Sequence, residues 1–142
     1  MRRLALLVLA ILPLAPSTAR ADVFLFRMPS GNVYCSVGIE AGSSDILCTI
    51  VDRSGPPARP APADCMAFWG HVFFMRDTGP VEMECTDRHL DSRLAASVQD
   101  VAPYGVTGSF GGIVCLSLQT GLECRNASGH GFKLARGAQI VF

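Results

Sequence analysis

Six cysteines, Cys35, Cys48, Cys65, Cys85, Cys115 and Cys124, divide this chain into short segments that few folds could accommodate. The count is even, no C-x-x-C occurs, and no cysteine stands at zinc-ligand spacing from a histidine. Such a set reads as a disulfide framework formed in an oxidising compartment rather than as a metal site. Six cysteines allow about 15 pairings, and the intervening residues narrow them.

The C-terminal stretch Ile113–Phe142 carries the clearest pattern. It reads as a strand, a tight turn, a second strand, a glycine-bracketed corner and a closing strand over Phe132–Leu134 and Gln139–Phe142. A type I turn on Leu118-Gln119-Thr120-Gly121 puts glycine at its favoured last position, and counting outward sets Cys115 opposite Cys124, give or take one residue for a bulge. The same plan appears earlier. Val33, Cys35, Val37 and Ile39 alternate onto one face, Ala41–Asp45 turns, and Ile46–Val51 returns. Folding about Ala41-Gly42 sets Cys35 opposite Cys48, a spacing that a disulfide bridges in an antiparallel pair. Cys65 and Cys85 are left to each other by elimination. That bridge ties a loop to a strand, because the hairpin of His71–Met75 and Val81–Cys85 does not oppose them.

The chain opens with Arg2 and Arg3, an apolar run over Leu4–Leu14 and the small-x-small site Ala19-Arg20-Ala21. That order is a secretory signal peptide, and the run is well short of the ~20 residues that span a bilayer. The expected domain organisation is a signal peptide over 1–21 and one secreted β domain over 22–142. Twelve basic residues balance twelve acidic ones in the whole chain. Removing Arg2, Arg3 and Arg20 leaves nine against twelve, a net charge of −3. The remaining cations are scattered singly and Lys133 is the only lysine. Nucleic acid and anionic membrane surfaces, which need clustered cations, are therefore not expected partners.

Between these landmarks, Val23–Phe26 is a first strand that alternates poorly but is apolar throughout, and Pro29-Ser30-Gly31-Asn32 is a turn. Arg53–Pro62 holds four of the nine prolines and reads as an extended connector. Leu90–Val101 is balanced between a short helix and an irregular crossing. Gly105–Gly112 lacks the lysine and following helix of a phosphate loop and is expected to be a flexible loop. The fold class is all-β: a small disulfide-stapled antiparallel sandwich or partly open barrel of seven to nine strands, with room for one short helix near 90–100.

Pro29–Cys35 (PSGNVYC), Trp69-Gly70, Pro103-Tyr104-Gly105 and Gly121–Arg136 (GLECRNASGHGFKLAR) together resemble a family of small exported bacterial six-cysteine domains of unknown function. Its members share a PSGN-x-x-C start and a GL-x-C…GHGF-x-L-x-R ending. The chain departs from that pattern at Thr86-Asp87-Arg88, where a glycine-Asp-Thr cluster is expected. The resemblance implies a bacterial, exported domain and carries no activity.

No catalytic constellation stands out. G-x-S-x-G and H-E-x-x-H are absent, and His71, His89 and His130 are not spaced to converge on a metal. His130, between two glycines, is the best-placed histidine for a ligand, against the plainer reading of a corner residue. Trp69 is a candidate contact if exposed with Phe74, against the plainer reading of core packing. Asn32, in the opening turn, completes the candidate binding residues. No cofactor and no catalytic residue are assigned. Three readings remain: a non-catalytic binding or inhibitor module in the bacterial envelope, a hydrolase of an envelope component using His130 and a carboxylate, or a purely structural domain. The first is favoured. Its expected partner is an envelope or extracellular protein or glycan, its location periplasmic or secreted, and its state monomeric.

Overall fold

The computed structural model describes residues 21–87 and 92–142. The expected signal peptide lies outside them apart from Ala21, as do His89 and Leu90. The first half of the domain forms β1 (Asp22–Arg27), β2 (Val33–Glu40), β3 (Ser43–Ile50), β4 (Phe68–Arg76) and β5 (Glu82–Thr86). A short helix α1 (Ser92–Ser97) leads to β6 (Thr107–Phe110), β7 (Ile113–Leu118), β8 (Gly121–Asn126), β9 (Gly131–Ala135) and β10 (Ala138–Val141). Each half is one five-stranded antiparallel sheet whose strands follow chain order, and neither sheet closes into a barrel. The two-sheet alternative therefore holds over the barrel, with ten strands among the described residues rather than seven to nine.

The extra strand comes from Gly105–Gly112. Thr107–Phe110 pairs with Ile113–Leu118 in full register instead of forming a flexible loop. Glycine disfavours strands because it contributes no side-chain packing. Here Phe110 supplies what the glycines lack, since its ring lies 5.2 Å from that of Phe24 and 5.7 Å from that of Phe26. The packing of one aromatic outweighs the local propensity of its neighbours. Of the ambiguous stretch over 90–101, the described residues 92–101 divide between both alternatives: a single helical turn and a half, then irregular chain that touches β1 at Val101.

Period-two alternation explains the core. Val33, Cys35 and Val37 of β2 and Ile46, Cys48 and Ile50 of β3 face inward, and all six are buried. Across from them lie Ile113 and Cys115 of β7, Leu122 and Cys124 of β8, and Phe132 and Leu134 of β9. Phe73 and Phe132 join the sheets with ring centroids 6.0 Å apart. Burying such a side chain contributes about 1.5–3 kcal/mol.

Each sheet is stapled between its second and third strands. Cys35 bonds Cys48 and Cys115 bonds Cys124, both across directly paired positions with Cα atoms 4.1 Å apart. Hairpin counting gives the same two pairs. The third bridge, Cys65–Cys85, ties the chain before β4 to β5, as elimination indicated. A turn-residue network then locks the two sheets together at one end. Asn126 is buried, its Nδ2 donates to the carbonyls of Arg76 and Gly79, and its Oδ1 accepts from the Ser128 and His130 amides.

Gly131, which opens β9, has no room for a side chain. A Cβ there would collide with the Cys124 carbonyl oxygen and stand 2.8 Å from the Phe142 ring. Gly131→Ala is therefore expected to lower the unfolding free energy by about 3 kcal/mol, read by urea denaturation of the oxidised domain. An unchanged midpoint would contradict this packing.

Candidate functional site

An open flank of the sandwich lies where the two edge strands β1 and β6 meet. β1 is apolar on both faces. Phe24 and Phe26 point inward onto Phe110, while Val23 and Leu25 point outward and are 67% and 47% exposed. Strands that read as continuous apolar runs are usually covered on both faces, at the centre of a sheet. This one lies at an edge.

Its hydrogen bonding explains why the edge matters. The Arg27 amide donates to the Asp100 carbonyl at 2.9 Å, and the Ala102 amide donates to the Arg27 carbonyl at 2.9 Å. Residues 100–102 thus cover the last residue of β1 in the parallel sense. The Arg27 side chain reinforces the junction through a 2.8 Å bond from Nε to the Val98 carbonyl. Because backbone groups alternate along a strand, those of Leu25 and Val23 point the same way as those of Arg27, away from β2. Among the described residues, no backbone bond outside the β1–β2 ladder involves Val23 or Leu25. The edge is half paired and half bare.

Two hollows flank the bare part. One, of about 460 Å³, is lined by Val23, Phe24, Leu25 and residues 97–100. The other, of about 140 Å³, reaches inward between the sheets past Phe26, Val106 and Phe110. Val101 and Val106 on its rim are 39% and 48% exposed. Asp22 and Asp100 stand exposed beside the apolar surface. Together these groups make a trough with apolar walls and free main-chain donors and acceptors along one side.

The three residues singled out from sequence lie elsewhere. Asn32 is buried and its amide is committed: Nδ2 donates to the Asp52 carbonyl at 3.0 Å, and Oδ1 accepts from the Asp52 amide at 2.8 Å. Trp69 is half-buried, and its indole donates to the Arg59 carbonyl at 2.7 Å, pinning the proline-rich connector. Phe74 is half-buried too, with the Arg76 guanidinium over its ring. His130 is half-buried, and its backbone amide bonds Asn126 Oδ1. Among the described residues its ring has no ion pair with a carboxylate.

The structure brings Asn32 and Trp69 to the same end and sets His130 at the other. Val51 donates to the Asn32 carbonyl and the His71 ring bonds the Ile50 carbonyl, whereas the His130 corner sits against Arg76 and Gly79. The seven steps of β4 from Trp69 to Arg76 separate these ends by roughly 23 Å. No single site can hold all three. A further hollow of about 240 Å³ near Asn32 is walled by Met28, Tyr104, Leu118, Leu134 and Arg136. Arg136 there is spent on an exposed ion pair with Asp52. Among the described residues, no group of three His, Cys, Asp or Glu could hold a metal.

Val23 and Leu25 were missed by site-seeking in the sequence, although a signal was present. An apolar run that fails to alternate marks a strand with both faces greasy, and the sheet order then places it at an edge.

Fold and flank together define a small two-sheet β domain, stapled by disulfides and open along one edge. A family model described as a family of unknown function (DUF6636) matches residues 5–142, and the chain belongs to that family. Neither a curated protein nor a solved structure matches the chain.

Replacing Asn32 separates its structural part from a ligand-binding one. Asn32→Ala strands the Asp52 amide and carbonyl, and the expected cost is about 2 kcal/mol in a thermal melt. A variant as stable as the parent would show that the amide is held for something other than the fold.

Proposed function

We propose that this protein is a non-catalytic binding module of the bacterial envelope or exterior that takes up an extended apolar polypeptide segment as an added strand on β1. The observation that carries the reading is the bare half of that edge, where the outward backbone groups of Val23 and Leu25 find no backbone partner among the described residues, beside exposed apolar side chains. Exposed apolar edges template pairing with another chain, and natural domains normally blunt them with lysine, proline or a covering loop. β1 carries no lysine and no proline, and its covering segment reaches only Arg27.

Strand addition draws affinity from main-chain hydrogen bonds and specificity from pockets for alternate side chains. One side chain of the guest would enter the inner hollow against Phe24, Phe26 and Phe110. Its neighbours would lie over Val23 and Leu25. Asp22 and Asp100 favour a guest with a basic residue at either end. The existing parallel bridge at Arg27 supplies the precedent within the molecule for chain docking on this edge.

Placement outside the cytoplasm rests on the leader-like residues 2–21 and on three disulfides. Among the described residues no helix is long and apolar enough to cross a membrane. The hydrolase alternative would need a carboxylate beside His130, and among the described residues none forms an ion pair with it.

Leu25→Pro tests the proposal cleanly, because it deletes an outward amide and leaves the β1–β2 ladder bonds in place. Extended eight-residue peptides of alternating apolar residues with a terminal lysine are the probe, read by fluorescence anisotropy against the oxidised domain. Parent protein is expected to bind, Leu25→Pro to bind at least about tenfold more weakly, and His130→Ala to bind like the parent. Equal binding by Leu25→Pro, or loss on His130→Ala, would overturn the proposal.

A further inference from the structure

The three disulfides occupy two different environments. Cys35, Cys48 and Cys124 are fully buried and Cys115 is 4% exposed, so two bridges lie inside the core. Cys85 is exposed and Cys65 half-buried, at the rim where the connector meets β4 and β5. Their surroundings are open too: Met66 is 93% exposed and Phe68 47%. Neither Cys65 nor Cys85 belongs to the core cluster.

Thiol–disulfide exchange requires a thiolate to reach a disulfide sulfur along the S–S axis, so access decides which bridge reacts. The buried pairs are reached only when the sheets part, which draws on the global stability of the domain. The outer pair is reached in the folded state. We infer that Cys65–Cys85 is a thiol-exchange site whose substrate class is a small or protein-borne thiol, and that it opens while the sandwich stays intact.

The chemistry balances without any further reagent. The incoming thiolate bonds Cys85 Sγ, the Sγ–Sγ bond breaks, and Cys65 leaves as a thiolate that takes a proton from water. A second thiol attacks the mixed disulfide and frees Cys85. Two thiols are thereby oxidised to one disulfide by loss of two electrons, and the protein bridge is reduced by the same two.

The opened state is local because other bonds hold the same region. Trp69 Nε1 donates to the Arg59 carbonyl at 2.7 Å, Arg59 reaches the Val81 carbonyl at 3.2 Å, and Arg53 donates to the Gly55 carbonyl at 2.6 Å. Gly70, with φ of 80°, lets β4 bend against Pro57 beside them. Reduction thus frees Cys65 and Met66 without releasing the whole connector, while Thr86 at the end of β5 stays paired with Phe68.

Folded oxidised protein exposed to millimolar dithiothreitol, quenched in acid, alkylated and mapped by mass spectrometry provides the test. Labels are expected on Cys65 and Cys85 at least about 100-fold faster than on the other four cysteines, with the circular dichroism of the sheets unchanged. Cys65→Ser/Cys85→Ser is expected to fold with the two core bridges formed and to take up no label in the same pulse. Labelling of all six cysteines together, or of either core pair first, would overturn the inference. So would loss of the sheet signal in step with labelling of Cys65 and Cys85.

Discussion

Two buried disulfides stand at the centre of this domain, and the rest of the structure is arranged around them. Cys35–Cys48 and Cys115–Cys124 each cross-link the second and third strands of a sheet, on the face that meets the other sheet. A bridge closing a loop of ~15 residues stabilises by about 3 kcal/mol, and these also fill core volume. A domain of this size buries too little apolar surface to be indifferent to such a contribution. The four cysteines belong to the same buried core as Val37, Ile46, Phe73 and Phe132.

This arrangement gives the two halves the same plan. Each is a five-stranded meander with its covalent tie in the same place, although the bridged cysteines are 13 residues apart in one and 9 in the other. Meanders that stack face to face leave edge strands at both sides. One side is managed by the covalent tie of Cys65–Cys85 and the proline-rich connector. Among the described residues, the other is covered where residues 100–102 reach Arg27. The exposed trough and the exposed disulfide are consequences of building a sandwich from two open sheets.

Much of this was legible in the residues. Alternation in Val33–Ile39 and turn chemistry at Gly42 and Gly121 set the two central hairpins, and with them the registers of the buried bridges. Local pattern failed where tertiary contacts decided the outcome. Glycines at 105, 108, 111 and 112 argue for a loop, but Phe110 between them packs on Phe24 and Phe26 and draws the segment into β6. Asn32 read as a turn residue and a candidate for binding, yet its amide closes on the backbone of Asp52, distant in sequence. The candidate residues at either end of the molecule could not be judged together without the register of β4. The open flank was the least legible, because whether an apolar strand is central or at an edge is a property of the whole sheet.

Amide hydrogen exchange of the isolated oxidised domain examines the bare half of β1 most directly. Phe24 and Phe26, whose amides point into the β1–β2 ladder, should exchange slowly, as should Arg27, bonded to Asp100. Val23 and Leu25 should exchange at rates near those of an unstructured peptide. Protection at Val23 and Leu25 equal to that of their neighbours would mean that the edge is already covered, and strand addition there would have no place to act.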